Sequence, residues 1–259
     1  MILEKKTVVV SGVGPGLGRE IAAAALRDGA RVVIGARSED KLEQAATELD
    51  PSGERIAACR TDITNPDDCE GLMKTAVDRF GGLDAVAQVA AFETITSTLE
   101  STSAEVWRGS FDTNVVGAAQ IVRAAAPHLK AGGGGSVVLI GTQSMWLPQL
   151  PQLAYASSKG ALLSAMYYMA KELGPDKIRV NMVIPTWMWG PPIQFYARWQ
   201  AKERGVSEDE IIGEITAGMP LGEMPADEDV AEAVIFFCSD RSRMITGQSL
   251  MVNAGELMR

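Results

Sequence analysis

Residues 8–18 read VVVSGVGPGLG, a short apolar run that passes through four glycines into a segment with helical periodicity. Glycine at these positions permits a tight turn and lets the backbone approach a bound group closely. The free N–H groups at the start of the following helix attract a phosphate. We therefore predict a strand–turn–helix unit that binds the diphosphate of a dinucleotide, the alternative being a purely structural turn. The residues expected to form this cradle are Gly12, Gly14, Gly16, Leu17 and Gly18.

The glycine turn opens a chain in which short apolar strands alternate with helices. Strands are predicted at residues 7–11, 31–35, 55–60, 85–89, 136–141, 179–184 and 249–252. Strands that are apolar on both faces are typical of a parallel sheet covered by helices on both sides. We expect one domain over residues 1–259, of the α/β class with a Rossmann-type doubly wound sheet. Residues 186–223 contain several prolines and are predicted to be an irregular insertion that forms a substrate lid.

Composition and charge exclude several classes of protein. The formal net charge is −9, so a basic face for nucleic acid or for an anionic membrane is not expected. No window approaches the roughly 18 apolar residues that a membrane span needs. The three cysteines form no C-x-x-C pair and no signal peptide is apparent, so we expect a cytoplasmic protein with reduced thiols. His128 is the only histidine, and no metal site is expected.

The end of the second predicted strand bears on the choice of nucleotide. Residues 34–38 read IGARS, with one arginine and no acid. A carboxylate there would suit the ribose 2′-hydroxyl of NAD, whereas an arginine suits the 2′-phosphate of NADP. NADP(H) is therefore favoured and NAD(H) is possible, the alternative for Arg37 being a solvated surface residue. Asp62 and Ile63 are expected at the adenine, although Asp62 could instead cap the next helix.

Tyr155 and Lys159 are the candidate chemical centre. They lie four residues apart in YASSK, which opens a predicted helix, so that both side chains share one face. A phenol with a pKa of about 10 is a poor acid or base at neutral pH, but an adjacent ammonium lowers that pKa. Tyr155 can then exchange a proton with a substrate oxygen while hydride moves at carbon.

Further motifs accompany this pair in a fixed order. They are the glycine turn, Asp62, Asn114, the strand end IGT at residues 140–142, Tyr155 with Lys159, and IRVN at residues 178–181. As a set they resemble the short-chain dehydrogenase/reductase family over essentially the whole chain. The resemblance implies a NAD(P)-dependent alcohol dehydrogenase or ketoreductase with an Asn-Ser-Tyr-Lys tetrad, to which Asn114, Tyr155 and Lys159 correspond. In that family pattern Asn114 would hold a helix kink and a water that links Lys159 to solvent.

A threonine occupies the position of the tetrad serine. The family's serine lies thirteen residues before the tyrosine, and that position is Thr142 in this chain. A threonine hydroxyl can also hold a substrate oxygen, and Ser144 is the alternative. Thr142 is favoured because residues 135–142 follow the family pattern without a gap.

Two further departures lie where the resemblance places the nicotinamide. The family's Asn-Asn-Ala-Gly is QVAA at residues 88–91, and Gly190 replaces a threonine that touches the cofactor phosphates. These departures leave open a dinucleotide-binding regulatory protein without turnover, and an epimerase or dehydratase is a third possibility. The contacts that the resemblance implies on this side are Ala90, Pro185, the backbone of Met188, Tyr155 and Lys159.

Aromatic side chains are concentrated in the two segments that would flank the reactive end of the cofactor. The candidate substrate contacts are Trp146, Trp187, Trp189, Phe195 and Tyr196. Apolar bulk in a loop predicts a lid over a small hydrophobic secondary alcohol or its ketone. The alternative is that these side chains pack the lid onto the body or onto a second subunit. The resemblance also implies a homotetramer or homodimer built on the helices predicted at about 104–129 and 155–173.

Overall fold

A seven-stranded parallel sheet forms the centre of the computed structural model, which describes residues 1–94 and 97–259. The strands are β1 Thr7–Ser11, β2 Arg31–Ala36, β3 Ile56–Arg60, β4 Ala85–Gln88, β5 Gly135–Ile140, β6 Ile178–Pro185 and β7 Ser249–Val252. Their order across the sheet is β3-β2-β1-β4-β5-β6-β7, which reverses between β1 and β4. Ligands of open α/β sheets bind at the carboxyl ends of the strands beside such a reversal. The predicted Rossmann-type doubly wound sheet is confirmed.

Helices cover both faces of this sheet. They are α1 Leu17–Arg27, α2 Glu39–Leu49, α3 Pro66–Phe80, α4 Ala104–Phe111, α5 Ala118–Ala131, α6 Leu153–Leu173, α7 Pro191–Arg204, α8 Glu208–Thr216 and α9 Asp227–Cys238. Val8 and Val10 face a buried layer with α1 and α9, while Val9 between them faces a second layer with α3, α5 and α6. Because side chains of a strand alternate between its faces, β1 contributes to both layers and lies in the middle of the core. None of the helices in the described residues is long and apolar enough to cross a bilayer.

The helix predicted at about 104–129 is interrupted. A π-helical segment, Asp112–Gly117, separates α4 from α5 and contains Asn114. Such segments insert an extra residue into the helical ladder and are frequent at functional sites. Gly117, the last residue of this segment, packs closely against Ile63. An added methyl group at Gly117 would lie only 2.9 Å from the Ile63 Cγ1 atom.

The stretch predicted to be irregular, residues 186–223, contains two helices, so that part of the prediction is wrong. Pro191 and Pro192 stand at the first turn of α7, where a missing N–H costs nothing. Ser207 caps α8 by accepting a hydrogen bond from the Glu210 backbone nitrogen. Small buried side chains of α7 pack on Ile211 of α8. The prolines that suggested a break instead mark a helix start, and α7 with α8 is called the lid below.

Candidate active site

The glycine turn between β1 and α1 has the shape that a phosphate cradle requires. Gly12 has a φ of +103°, and a side chain there would collide with the backbone nitrogen of Ala90. A side chain at Gly18 would collide with the Gly12 carbonyl oxygen, so α1 packs directly on the turn. Gly14, in contrast, is exposed and has no atom within 4 Å of the place that a side chain would take. The turn therefore fits a dinucleotide diphosphate, with Leu17 buried behind it at the start of α1.

The ends of β2 and β3 form the adenosine side of this edge. Arg37 is exposed and, within residues 1–94 and 97–259, makes no hydrogen bond or ion pair, so its guanidinium is free to bind a 2′-phosphate. The Asp62 carboxylate accepts hydrogen bonds from the Thr64 backbone nitrogen and hydroxyl, and these, with the charge of Arg37, lower the pKa of Asp62. Asn65, not Asp62, caps α3, which removes the capping alternative for Asp62.

Tyr155 and Lys159 lie in the first two turns of α6, which begins at Leu153. Tyr155 is buried, and the Thr142 side chain lies beside its hydroxyl. The Lys159 Nζ atom donates to the Ile140 carbonyl oxygen at 2.7 Å and lies 5.7 Å from the centre of the Tyr155 ring. Tyr155 thus meets the end of β5, where Thr142 follows Ile140 by two residues.

Burial controls the protonation of this pair. It lowers the pKa of Lys159 to about 8, an effect that the negative charge of Glu93 opposes. Burial also raises the pKa of Tyr155, and Glu93 raises it further, while the hydrogen bond from Thr142 lowers it. For the chain on its own, burial and Glu93 outweigh the lowering expected from Lys159, so the pKa of Tyr155 is raised overall. The raised pKa favours the protonated phenol, the form that has a proton to donate.

Asn114 joins the π-helical segment to two other parts of the site. Its Oδ1 atom accepts from the Phe92 backbone nitrogen at 2.7 Å, and its Nδ2 atom donates to the Phe92 carbonyl and to the Ser158 hydroxyl, both at 2.9 Å. Ser158 in turn donates to the Tyr155 carbonyl at 2.7 Å. Asn114 therefore fixes the loop after β4 against the first turns of α6, and the link runs through Ser158, which the sequence reasoning missed.

A row of polar side chains, called the polar network below, leads from Thr142 to Glu93. Thr142 Oγ1 lies 3.2 Å from Ser144 Oγ, Ser144 Oγ donates to Gln152 Oε1 at 2.8 Å, and Gln152 Nε2 donates to Glu93 Oε1 at 2.8 Å. The Thr142 hydroxyl is therefore the one beside Tyr155, whereas Ser144 is linked to Tyr155 only through Thr142. Sequence reasoning did not identify Gln152 or Glu93. The one feature of the sequence that could have indicated Glu93 is that an acidic residue occurs in the loop after β4.

The five predicted aromatic contacts have different surroundings. Trp187 and Tyr196 come together, with ring centres 5.5 Å apart, and the Trp187 indole donates to Gln149 Oε1 at 3.0 Å. Trp189 packs instead on the buried residues of the lid, and Phe195 is 66% exposed. Trp146 packs on the core, and the Arg259 guanidinium lies 4.5 Å from its ring centre. The packing alternative therefore describes Trp189 better than a substrate contact does.

The C-terminal segment ties these parts together. Glu256 accepts hydrogen bonds from Gln143 at 2.7 Å, from Gln149 at 2.6 Å and from the Thr186 hydroxyl. It thereby connects the segment after β5, which carries Ser144, with the segment after β6, which carries Trp187. In the part of the chain that the structure describes, no group of three acidic, cysteine or histidine side chains is placed to hold a metal ion.

Known proteins resemble this chain along almost its whole length. Residues 12–256 match the profile of the family described as enoyl-(acyl carrier protein) reductase. L-rhamnose 1-dehydrogenase (NAD(P)(+)) of Azotobacter vinelandii is 32% identical over 98% of this chain and 98% of its own. Dehydrogenase/reductase SDR family member 4 of Homo sapiens is 31% identical over 98% of this chain and 88% of its own. The solved structure of L-sorbose reductase from Gluconobacter frateurii, complexed with NADPH and L-sorbose, matches with a TM-score of 0.92 at 25% identity over 100% of both chains.

Proposed function

Since the chain belongs to the short-chain dehydrogenase/reductase family, we propose that it transfers hydride between NADP(H) and a secondary alcohol or its ketone, with Tyr155 exchanging the proton at the substrate oxygen. The observation that carries this proposal is the environment of the buried Tyr155. The Thr142 side chain lies beside the Tyr155 hydroxyl, and Lys159 lies beside the Tyr155 ring. A regulatory protein without turnover has no chemical need for a buried lysine next to a buried tyrosine, because burying each group disfavours its charged form.

Each residue has a defined task in the direction of ketone reduction. Tyr155 donates its phenolic proton to the substrate oxygen, and Thr142 donates a hydrogen bond to the same oxygen. Lys159, held by the Ile140 carbonyl, stabilises the phenolate that remains. Asn114 positions the first turns of α6 through Ser158. A bound nicotinamide would supply the hydride to the carbonyl carbon in this direction.

NADP(H) is the proposed cofactor, with NAD(H) as the alternative. The free guanidinium of Arg37 at the end of β2 supports a 2′-phosphate, and no acid stands there to accept the 2′-hydroxyl of NAD. The NADPH complex of the L-sorbose reductase from Gluconobacter frateurii is in keeping with this choice. On the nicotinamide side we propose contacts from Ala90, Pro185 and the backbone of Met188.

Two substrate classes are supported by two different sets of side chains, one aromatic and one polar. The pair Trp187–Tyr196 and the ring of Trp146 support a hydrophobic alcohol or ketone. Glu93 and Gln152 support a second candidate, a polyhydroxylated substrate, because a carboxylate and an amide accept and donate hydrogen bonds to neighbouring hydroxyls. The names of the L-rhamnose dehydrogenase and L-sorbose reductase relatives favour this second candidate.

An absorbance assay of NADPH oxidation tests both parts of the proposal. Hydrophobic ketones and ketoses are offered to the wild type, to Tyr155→Phe and to Glu93→Gln. We expect Tyr155→Phe to lose turnover with every substrate, and Glu93→Gln to raise the KM of ketoses but not of hydrophobic ketones. NADPH binding without turnover on any carbonyl compound would favour the regulatory alternative. Undiminished turnover in Tyr155→Phe would exclude the proposed proton transfer.

We also propose a homotetramer or homodimer in which neighbouring subunits pack through α6 and through the helical stretch from α4 to α5. Tyr168 of α6 is 68% exposed, Tyr167 beside it is half-exposed, and Val116 is exposed at the end of the π-helical segment. Large apolar side chains grouped on neighbouring helices are typical of an interface. Size-exclusion chromatography with light scattering should give a multiple of 27.6 kDa for the wild type and a smaller species for Tyr168→Asp.

A further inference from the structure

Asp227, the first residue of α9, places a carboxylate beside the phosphate cradle. The residue is only 8% exposed. Its Oδ2 atom faces the two glycines that border the cradle: a methyl group on Gly16 would lie 3.2 Å from it, and one on Gly190 would lie 2.5 Å from it. Gly16 caps α1, whose first turn offers its N–H groups to the phosphates. The Asp227 carboxylate thus lies between the glycine turn and the turn after β6.

This carboxylate has no partner. Over residues 1–94 and 97–259, no hydrogen bond or ion pair reaches it. Burial raises the pKa of Asp227, and two acidic neighbours raise it further: Glu228 on α9, and Glu20 on α1, which is itself ion-paired with Arg19. The strands that pack on α9 bring one charged side chain, Arg179 of β6, which bonds to carbonyls at the far end of that helix.

Two negative groups meet when a dinucleotide binds. A carboxylate close to a diphosphate is destabilised in its charged form, because a like charge within a few ångströms favours protonation. A neutral carboxyl has an O–H group that can donate to a phosphate oxygen, whereas the carboxylate can only accept. A bound diphosphate would therefore supply the partner that Asp227 lacks, provided that the side chain carries a proton.

We propose that Asp227 takes up a proton from solvent when the diphosphate binds, so that its neutral carboxyl donates a hydrogen bond to a phosphate oxygen and dinucleotide affinity falls as pH rises. The inference rests on the proposed function, since it needs the glycine turn to bind NADP(H). The coupling between proton binding and ligand binding sets the size of the effect. If one proton is taken up per dinucleotide bound, the affinity for the dinucleotide decreases by about tenfold per pH unit.

Isothermal titration calorimetry with NADP⁺ tests this without turnover. At about pH 7.5, titrations in two buffers of different ionisation enthalpy give the number of protons taken up per ligand bound. We expect up to about one for the wild type and for the control Asp209→Asn, which removes the same charge from the exposed start of α8. Asp227→Asn, whose amide is a permanent donor, should take up none and bind NADP⁺ more tightly than the wild type at high pH.

The outcomes separate the two proposals. Equal proton uptake in wild type and Asp227→Asn, or none in the wild type, overturns the role of Asp227 and leaves the dinucleotide site intact. Absence of binding of both NADP⁺ and NAD⁺, in wild type and variant alike, overturns the proposed function itself. Should Asp227→Asn fail to fold, Glu20→Gln decides: removing this neighbouring charge must move the decline in affinity to lower pH, and an unmoved profile contradicts the proposal.

Discussion

The glycine turn of residues 12–18 and the polar network that ends at Glu93 lie at the same edge of the sheet but are built in different ways. The turn is made of backbone, and the residues that define it are neighbours in the chain. The polar network is made of side chains from separate segments, such as Glu93 and Gln152, which are 59 residues apart. In the proposed function, the first arrangement fixes where the dinucleotide binds, and the second selects the substrate that binds beside it.

This difference predicts that binding and chemistry can be separated by mutation. A backbone cradle tolerates changes in distant side chains, because its N–H groups stay in place when those side chains change. A side-chain network depends on each member, because removal of one leaves a buried partner unsatisfied. Substitutions in the two regions should therefore give different patterns of Kd, kcat and stability.

Tyr155→Phe should have the largest effect, and it should fall on chemistry. The variant keeps the ring and removes the hydroxyl that meets Thr142, so turnover should decrease by about 10²- to 10⁴-fold. The Kd for NADPH, measured by fluorescence titration, should change far less. A loss of NADPH affinity as large as the loss of turnover would show that the two regions are not separable.

Gly12→Ala tests the cradle by the same logic. Its added methyl group would meet the Ala90 backbone nitrogen at a φ of +103°, which costs about 1–3 kcal/mol of stability. Gly14→Ala is the matched control, since its methyl group would enter open space. Thermal unfolding should show a lower Tm for Gly12→Ala only. Both variants should lose NADPH affinity, because both glycines belong to the phosphate cradle. Equal Tm values would contradict the close packing of β1 on the loop after β4.

The pH dependence of reduction reports on Lys159. Its pKa is lowered to about 8, so the lysine is charged below that pH and neutral above it. Because the charge stabilises the phenolate left by Tyr155, kcat/KM for ketone reduction should fall above about pH 8, by up to about tenfold per unit. Glu93 raises the Lys159 pKa, so Glu93→Gln should move this decline to lower pH. A decline that stays at the same pH in Glu93→Gln would remove Glu93 from the electrostatics of the site.

The same contrast explains what the sequence could and could not predict. The glycine turn and the i, i+4 pair Tyr155–Lys159 are local patterns, and the alternation of strands and helices predicted the sheet correctly. The lid helices were missed because Pro191 and Pro192 were interpreted as breaks, although proline is favourable in a first helical turn. The rise in the Tyr155 pKa depends on burial by residues distant in sequence, so no spacing rule contains it. Asp227 gave no signal either, because an acid at a helix start is ordinarily a solvated one.

Glu256→Gln should have the smallest effect and should be confined to the substrate side. The substitution replaces one carboxylate oxygen, which accepts a hydrogen bond from Gln143, Gln149 or Thr186, by an NH2 group that cannot accept one. Each net hydrogen bond lost costs about 0.5–1.5 kcal/mol of stability. The segments that carry Ser144 and Trp187 then lose their shared anchor, so KM should rise about threefold to tenfold while kcat and the Kd for NADPH stay near the wild-type values. Glu223→Gln removes an equal charge from an exposed position and serves as the control. If Glu256→Gln weakened NADPH binding as much as substrate binding, the C-terminal segment would belong to both regions, and the division between a backbone cradle and a side-chain network would fail at this residue.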